Sequence, residues 1–366
     1  VPDSVNTSLA DVLPTAASAL GCGGFVRSFD LGTPRNIVCL LVDGLGFGSL
    51  TRHDPDWLRR GHTQPITSVL PTTTAVALTS LGTGVLPGTH GMIAASFVLP
   101  EINDVLSPLH WGSVPVPESV QVEPTVLETM SRSGIACHSV GPADYVQSGL
   151  TRAALRGPRY HGAREIPEYV ATVTSILSGE SPSFTYVYWP ELDRIGHARG
   201  VHHPEWRTGL ARVGDLVAGL QGALGADDLL LVTSDHGMVE CPPLRRLRWD
   251  DLAELRTGVR AVTGEPRCRL IYLEDGVDAE GMVKRWRDRL APDFDIWGRV
   301  DFAESGLLGP VEPFASERLG DLIVLATGDS MISCPDIDPR ISSLPGQHGS
   351  WTDEERLIPL SVFTQA

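Results

Sequence analysis

Three stretches far apart in the chain run through consecutive apolar β-formers and stop at residues able to bind a metal. NIVCLLVD ends on Asp43, TYVYWPELDRIGH carries Asp193 and His197, and DLLLVTSDHGM carries Asp235 and His236. A strand with one wet face alternates apolar and polar side chains; these runs do not, so both faces need cover. A mostly parallel sheet with helices on both sides meets that demand, and such sheets take their ligands outside the carboxyl ends of the strands. The polar residues that close the runs therefore fall where chemistry is expected. A fourth segment, GQHGSW, adds His348.

Strand-like runs recur at 36–43, 134–140, 183–189, 228–235, 267–273, 321–327 and 357–363, separated by helical spacing or by turns, for which 28 prolines and 38 glycines are ample. Residues 241–340 divide the Asp235–His236 pair from His348 and contain RCRLIYLE, the helical AEGMVKRWRDRL and RLGDLIVLAT. They predict two strands and a helix in an inserted α+β subdomain beside the site, with 1–240 and 341–366 forming the metal-binding α/β core.

A formal net charge of −16 argues against broad electrostatic binding to a nucleic-acid duplex or an anionic membrane. It does not argue against a small phosphoester substrate, because bound divalent cations reverse the sign locally. No stretch approaches the roughly 18 apolar residues of a membrane span, and residues 1–21 lack the basic and apolar regions of a signal peptide. The six cysteines form no CxxC pair, and Cys39, Cys137 and Cys268 fall in strand-like runs, which predicts buried thiols and a cytoplasmic, reducing compartment.

Each motif has an ordinary reading beside the chemical one. Asp193 and His197 stand four apart and would share a helical face toward a metal, although Gly196 allows a loop and a surface ion pair would give the same spacing. Asp235 could be a helix N-cap, yet a buried strand that ends in two desolvated ligands needs a partner for them. GLGFG after Asp43 suggests a dinucleotide loop, but its glycines lack the G-x-G-x-x-G spacing and the acid precedes them. In QPITSVLPTTTAVALTSLGTG, the threonines after Pro71 lead into a short predicted helix ending near Gly82–Gly84; one of them could be a cap, or a nucleophile served by the helix N-terminus. His90 and the pair His202–His203 are read as structural and solvated. Asp43, Asp235, His236 and a threonine oxygen can enclose one cation, and Asp193, His197 and His348 a second; mixed Asp/His ligation suits zinc first, with manganese or iron as substitutes.

In this order the motifs closely resemble the nucleotide pyrophosphatase/phosphodiesterase branch of the alkaline phosphatase superfamily. The carriers are Asp43-Gly44, Pro71-Thr-Thr-Thr74, Thr83-Gly-Val-Leu-Pro-Gly-Thr-His90-Gly91, the D-x-x-x-H of Asp193 and His197, Ser234–Met238, and His348-Gly349. The resemblance implies an alkaline-phosphatase-like sandwich, two divalent ions held by Asp43, Thr74, Asp193, His197, Asp235, His236 and His348, and Thr74 as the nucleophile of a phosphodiesterase or pyrophosphatase with a covalent phosphothreonine intermediate. Related families use the same frame on phosphonates, phosphomonoesters and sulfate esters, and a non-catalytic dinucleotide-binding protein is the alternative of another class.

Two departures stand out. Family members commonly continue from the nucleophile as Phe-Pro-Asn and carry an asparagine after His-Gly. Here Ala75-Val76-Ala77 follows Thr74 and Met-Ile-Ala-Ala-Ser follows Gly91, so Ser96 or a backbone N–H is the expected substitute donor. No arginine adjoins Thr74 in sequence; Arg152, Arg156, Arg159 and Arg194 are the candidates to approach it in space. Two divalent cations against three aspartates and an ionised threonine leave a nearly neutral site, which suits a singly charged diester better than a monoester.

Overall fold

The computed structural model describes residues 7–179 and 182–365, so the start of the leader-free reading, residues 1–6, lies outside it. A central sheet is built from β1 (Asn36–Val42), β2 (His62–Thr67), β3 (Ala136–Gly141), β4 (Arg159–Gly162), β5 (Ser183–Trp189), β6 (Asp228–Thr233) and β7 (Leu357–Phe363). Their order across the sheet is β2-β7-β6-β1-β5-β3-β4. From β6 to β4 the neighbours are parallel, whereas β7 runs antiparallel to both β6 and β2.

All seven residues of β1 are buried, which accounts for its unbroken apolar run. Ile37, Cys39 and Leu41 join the core on one face with α1 (Thr74–Thr83), while Val38, Leu40 and Val42 join the core on the other. The helices on that second face are α2 (Ile166–Leu177), α3 (Glu191–Arg199) and α4 (Pro204–Gly222), and Trp206, Leu210, Val213 and Leu216 of α4 are buried against the sheet. Successive side chains of a strand point to opposite faces, so a strand covered twice must be apolar at every position.

The seven strand runs read from the sequence are all present, with ends shifted by a residue or two. Strand β2 went unread because HTQPIT is polar and holds a proline, and it lies at the sheet edge, where an unpaired N–H is tolerated. Residues 241–340 contain six strands where two were expected: a parallel pair, Arg246–Arg248 with Met331–Ser333, and an antiparallel sheet in the order Val259–Glu265, Cys268–Leu273, Leu322–Ala326, Phe294–Gly298. Helix α5 (Ala279–Leu290) buries Met282, Trp286 and Leu290 in the core of this sheet. All six cysteines are buried and free. Among the described residues no helix is long and apolar enough to cross a membrane.

The four-stranded sheet is fastened to the central one by a buried ion pair. Arg267, fully buried, donates to both carboxylate oxygens of Glu355 at 2.7 and 2.8 Å and to the carbonyls of Ser330 and Gly328. Glu355 also accepts from the Ser350 N–H at 2.9 Å, so the pair braces the turn that follows His348. Burial opposes the Glu355 charge, but Arg267 and the hydrogen bonds prevail and hold its carboxyl below the ordinary 4.5. A depressed carboxylate contributes stability above its unfolded pKa, and that contribution is lost as pH falls through the folded value. We expect Arg267→Met to cost about 3–5 kcal/mol at neutral pH, because it strands Glu355. Urea unfolding checks this, and a loss below about 1 kcal/mol would mean that the pair is not structural.

Candidate metal centre

The carboxyl ends of β5, β1 and β6 lie side by side, and the residues just beyond them meet. Asp43 follows β1 directly, and its Oδ2 accepts a short hydrogen bond from the hydroxyl of Tyr188. Asp235 and His236 follow β6; Asp235 Oδ1 accepts from the N–H groups of Gly44 at 3.1 Å and His236 at 3.0 Å. Asp193 sits in the first turn of α3 and His197 in its last, so this motif is helical after all. Gly196 is required there by packing, since a Cβ would come within 2.6 Å of Met238 Sδ.

Glycines also explain GLGFG. Gly44 has φ +76°, and a Cβ on it would lie 2.9 Å from the Asp193 Cα. The segment is thin so that the metal-side loops can touch.

Thr74 is the first residue of α1, behind an extended Thr73, and α1 ends at the left-handed Gly84. Its hydroxyl lies 3.2 Å from His236 Nε2. The two preceding threonines are otherwise engaged: Thr72 donates to the Ser350 carbonyl, and Thr73 bonds Glu265. Only the third threonine faces the ligands.

The three histidines share one arrangement. Nδ1 of His197 lies 2.8 Å from the Gly346 carbonyl, Nδ1 of His348 2.8 Å from the Thr72 carbonyl, and Nδ1 of His236 3.1 Å from the Gly237 carbonyl. A carbonyl can only accept, so each Nδ1 carries a proton, and in the Nδ1–H tautomer each ring turns an Nε2 lone pair toward the other ligands. Those lone pairs converge: His197 Nε2 is 3.1 Å from His348 Nε2 and 3.5 Å from Asp193 Oδ1, with 4.0 Å closing the third side. His236 Nε2 is 3.6 Å from Asp43 Oδ1 and 3.5 Å from Asp235 Oδ2. The His236 and His348 rings stack with centroids 3.7 Å apart, so the two sets adjoin.

Among the described residues, Asp43 Oδ1, Asp193 Oδ1 and Asp235 Oδ2 are buried without a hydrogen-bond partner. Burial, then Asp235 and Asp193, push the Asp43 carboxyl well above its usual range. Burial, then His236 and His348's other neighbour His197, push the His348 imidazole well below its own. Lone pairs facing lone pairs beside unpaired carboxylate oxygens cost several kcal/mol unless a cation lies between them. The donor set, three imidazoles with three carboxylates, fits divalent zinc or a similar borderline ion.

His90 is bonded to Ser80 at 2.8 Å and accepts from the Met92 N–H; burial and then Arg318 lower its pKa to about 3, which suits a neutral structural ring. His203 caps α4 and His202 is exposed. Ser96 is not free to replace the missing asparagine, because its hydroxyl donates to the Gly264 carbonyl and accepts from the Gly264 N–H. Arg152 and Arg156 pair with Glu118 and Glu128, while Arg159 and Arg194 are exposed. The sequence reading missed Tyr188, Glu265 and the Ser68 hydroxyl, which bonds the Asp235 carbonyl. Tyr188 alone had a signal, as a strand-end polar group beside Trp189.

Aspartates and histidines thus gather at the carboxyl edge of a doubly covered, mostly parallel sheet, the arrangement that the resemblance in sequence implies. The chain belongs to the type I phosphodiesterase / nucleotide pyrophosphatase family, a family of hydrolases, whose profile matches residues 37–351. Similar proteins include a bis(5'-adenosyl)-triphosphatase of Mus musculus, 30% identical over 191 residues, or 47% of this chain and 39% of that one. The match thus spans well under half the length of that curated relative. Murine ectonucleotide pyrophosphatase / phosphodiesterase 5 has the same fold, with a TM-score of 0.69 at 20% identity over 89% of this chain and 87% of that one. So does phosphonoacetate hydrolase from Sinorhizobium meliloti 1021, solved with phosphonoformate, with a TM-score of 0.69 at 18% identity over 90% of each chain.

Proposed function

We propose that this chain is a two-metal hydrolase of phosphodiester or pyrophosphate bonds, acting through Thr74 and a covalent phosphothreonine intermediate. The observation that carries the reading is the convergence of three imidazole Nε2 atoms and three unpaired carboxylate oxygens in two adjoining sets, with the Thr74 hydroxyl beside His236 of one set. Asp43, Asp235, His236 and Thr74 would hold one ion, and Asp193, His197 and His348 the other. When bound, divalent ions supply charge neutralisation at phosphorus and lower the pKa of coordinated hydroxyl and water.

The chain's own residues do the rest. Thr74 attacks phosphorus from the N-terminus of α1, where free N–H groups and the helix dipole favour an alkoxide and an anionic ester. Its proton passes to solvent, its oxygen forms the new P–O bond as the bond to the leaving group breaks, and the leaving oxygen takes a proton from solvent; water then cleaves the phosphothreonine, giving the phosphate monoester and returning the hydroxyl. His236 does not serve as the base, because its Nδ1–H is committed to Gly237 and its Nε2 is spent as a donor. The carboxylates of Asp43, Asp193 and Asp235 set the site's charge, which suits a singly charged diester. We also assign residues 241–340 to an inserted subdomain beside this site.

The test is a comparison of bis-p-nitrophenyl phosphate, p-nitrophenyl phosphate and phosphonoacetate with zinc- or manganese-loaded protein. We expect the diester kcat/KM to exceed the other two by about tenfold or more, a difference of about 1.4 kcal/mol in transition-state stabilisation. Faster turnover of the monoester or the phosphonate would overturn the substrate assignment.

A further inference from the structure

We propose that Glu265, brought in by the four-stranded sheet, is a positioning residue for the second metal site and fixes the His348 imidazole from its Nδ1 side. Glu265 ends the strand Val259–Glu265 and is 6% exposed. Its Oε2 lies 3.4 Å from His348 Nδ1, and its carboxyl bonds Thr73, the residue before Thr74. Gly349, at φ +125°, makes room for it: a Cβ there would fall 2.7 Å from both Cγ and Cδ of Glu265. One side chain thus reaches past the glycine of the His-Gly pair to touch both the metal ligand and the threonine segment.

Stability alone does not account for a carboxyl at this place. Its Oε1 is buried with no hydrogen-bond partner among the described residues, and a half-satisfied buried carboxyl is destabilising. The groups it does touch belong to the site, and the outer partners of ligating histidines hold ring orientation and so govern metal affinity. Thr72 already fixes the His348 tautomer through its carbonyl; Glu265 adds lateral support, closing the gap between the imidazole and Thr73. Through this contact the stretch 241–340 takes part in the metal centre as well as bordering it.

The inference rests on His348 being a metal ligand, and the experiment separates the two claims. Wild-type protein, Glu265→Ala and Glu265→Asp are stripped with chelator and titrated with zinc against a chromophoric competitor, and cobalt(II) absorption reports the coordination geometry. Glu265→Asp keeps a carboxyl but withdraws it by one methylene. We expect two ions in the wild type, with the first bound unchanged in both variants, the second weakened about 10- to 100-fold, and the cobalt bands of the second site altered. Either variant binding both ions as tightly as wild type with the same spectrum overturns the inference, as does equal weakening of both ions. A wild-type protein that binds fewer than two ions brings down the metal reading first. Unfolding of the metal-free proteins checks that each variant folds; should Glu265→Ala fail, Glu265→Asp carries the same comparison.

Discussion

Replacing Thr74 by alanine lowers phosphodiester turnover by roughly 10⁴-fold or more, the scale associated with removing a covalent nucleophile, and leaves both metal ions in place. Asp43, Asp235 and His236 are untouched by the change, and alanine is at least as good as threonine at the first position of a helix. Thr74→Ser keeps a hydroxyl at the same site and retains most of the activity. The contrast with the neighbours is the sharp part. Thr72 donates to Ser350 and accepts from the Gly349 N–H, so Thr72→Val should loosen the loop and lower stability while leaving a measurable turnover. Single-turnover assays paired with metal analysis decide it: a Thr74→Ala protein that still turns over within tenfold of wild type is incompatible with this nucleophile.

Chelation should remove activity and stability together. Without cations, the buried oxygens of Asp43, Asp193 and Asp235 are left to repel one another, and the apo protein relieves them by taking up protons or opening the loops. Each ion supplied at a hundredfold excess over its Kd stabilises by about 2.7 kcal/mol, so thermal unfolding should shift upward on adding zinc to stripped protein, and turnover should return with it. The zinc effect should weaken as pH falls, because metal and protons compete for the same nitrogens and oxygens. A stripped protein with an unchanged melting curve and full turnover would remove the metal centre from the account. Asp235→Asn should reproduce part of the chelation effect, since it leaves His236 and Asp43 with a weaker third donor.

Much of this was legible in the sequence because burial on two faces writes itself into strands such as NIVCLLV and DLLLVT without ambiguity. The same two strands place Asp43 and Asp235 at the sheet's carboxyl edge by their last residues alone. Thr74 could be chosen over Thr72 and Thr73 only through family resemblance; the structure adds a physical ground, since the other two hydroxyls have partners. Contacts between residues distant in sequence were not legible. Glu265 carries no signal in the sequence and Arg267 only opens a strand-like run, until the four-stranded sheet folds them onto residues 348–355. Ser96 was misread for the same reason: its partner, Gly264, is 168 residues away. Strand β2 was missed because an edge strand with a proline carries no apolar pattern.

Strand β7 lies between β6 and β2, though almost three hundred residues separate β2 from β7 in the chain. This order of strands sets a timetable. During synthesis the donors gathered by β1, α1 and β6 emerge well before His348, and β2 has no sheet neighbour until β7 is made. A growing chain could offer Asp43, Asp235 and His236 to a metal early, yet the partner cluster cannot close until residue 348 has emerged. Pairings across such sequence distances form slowly, because a long loop must be closed before any contact repays it. On the proposed assignment, the second set of ligands therefore closes long after the strands that carry Asp43 and Asp235 have been made.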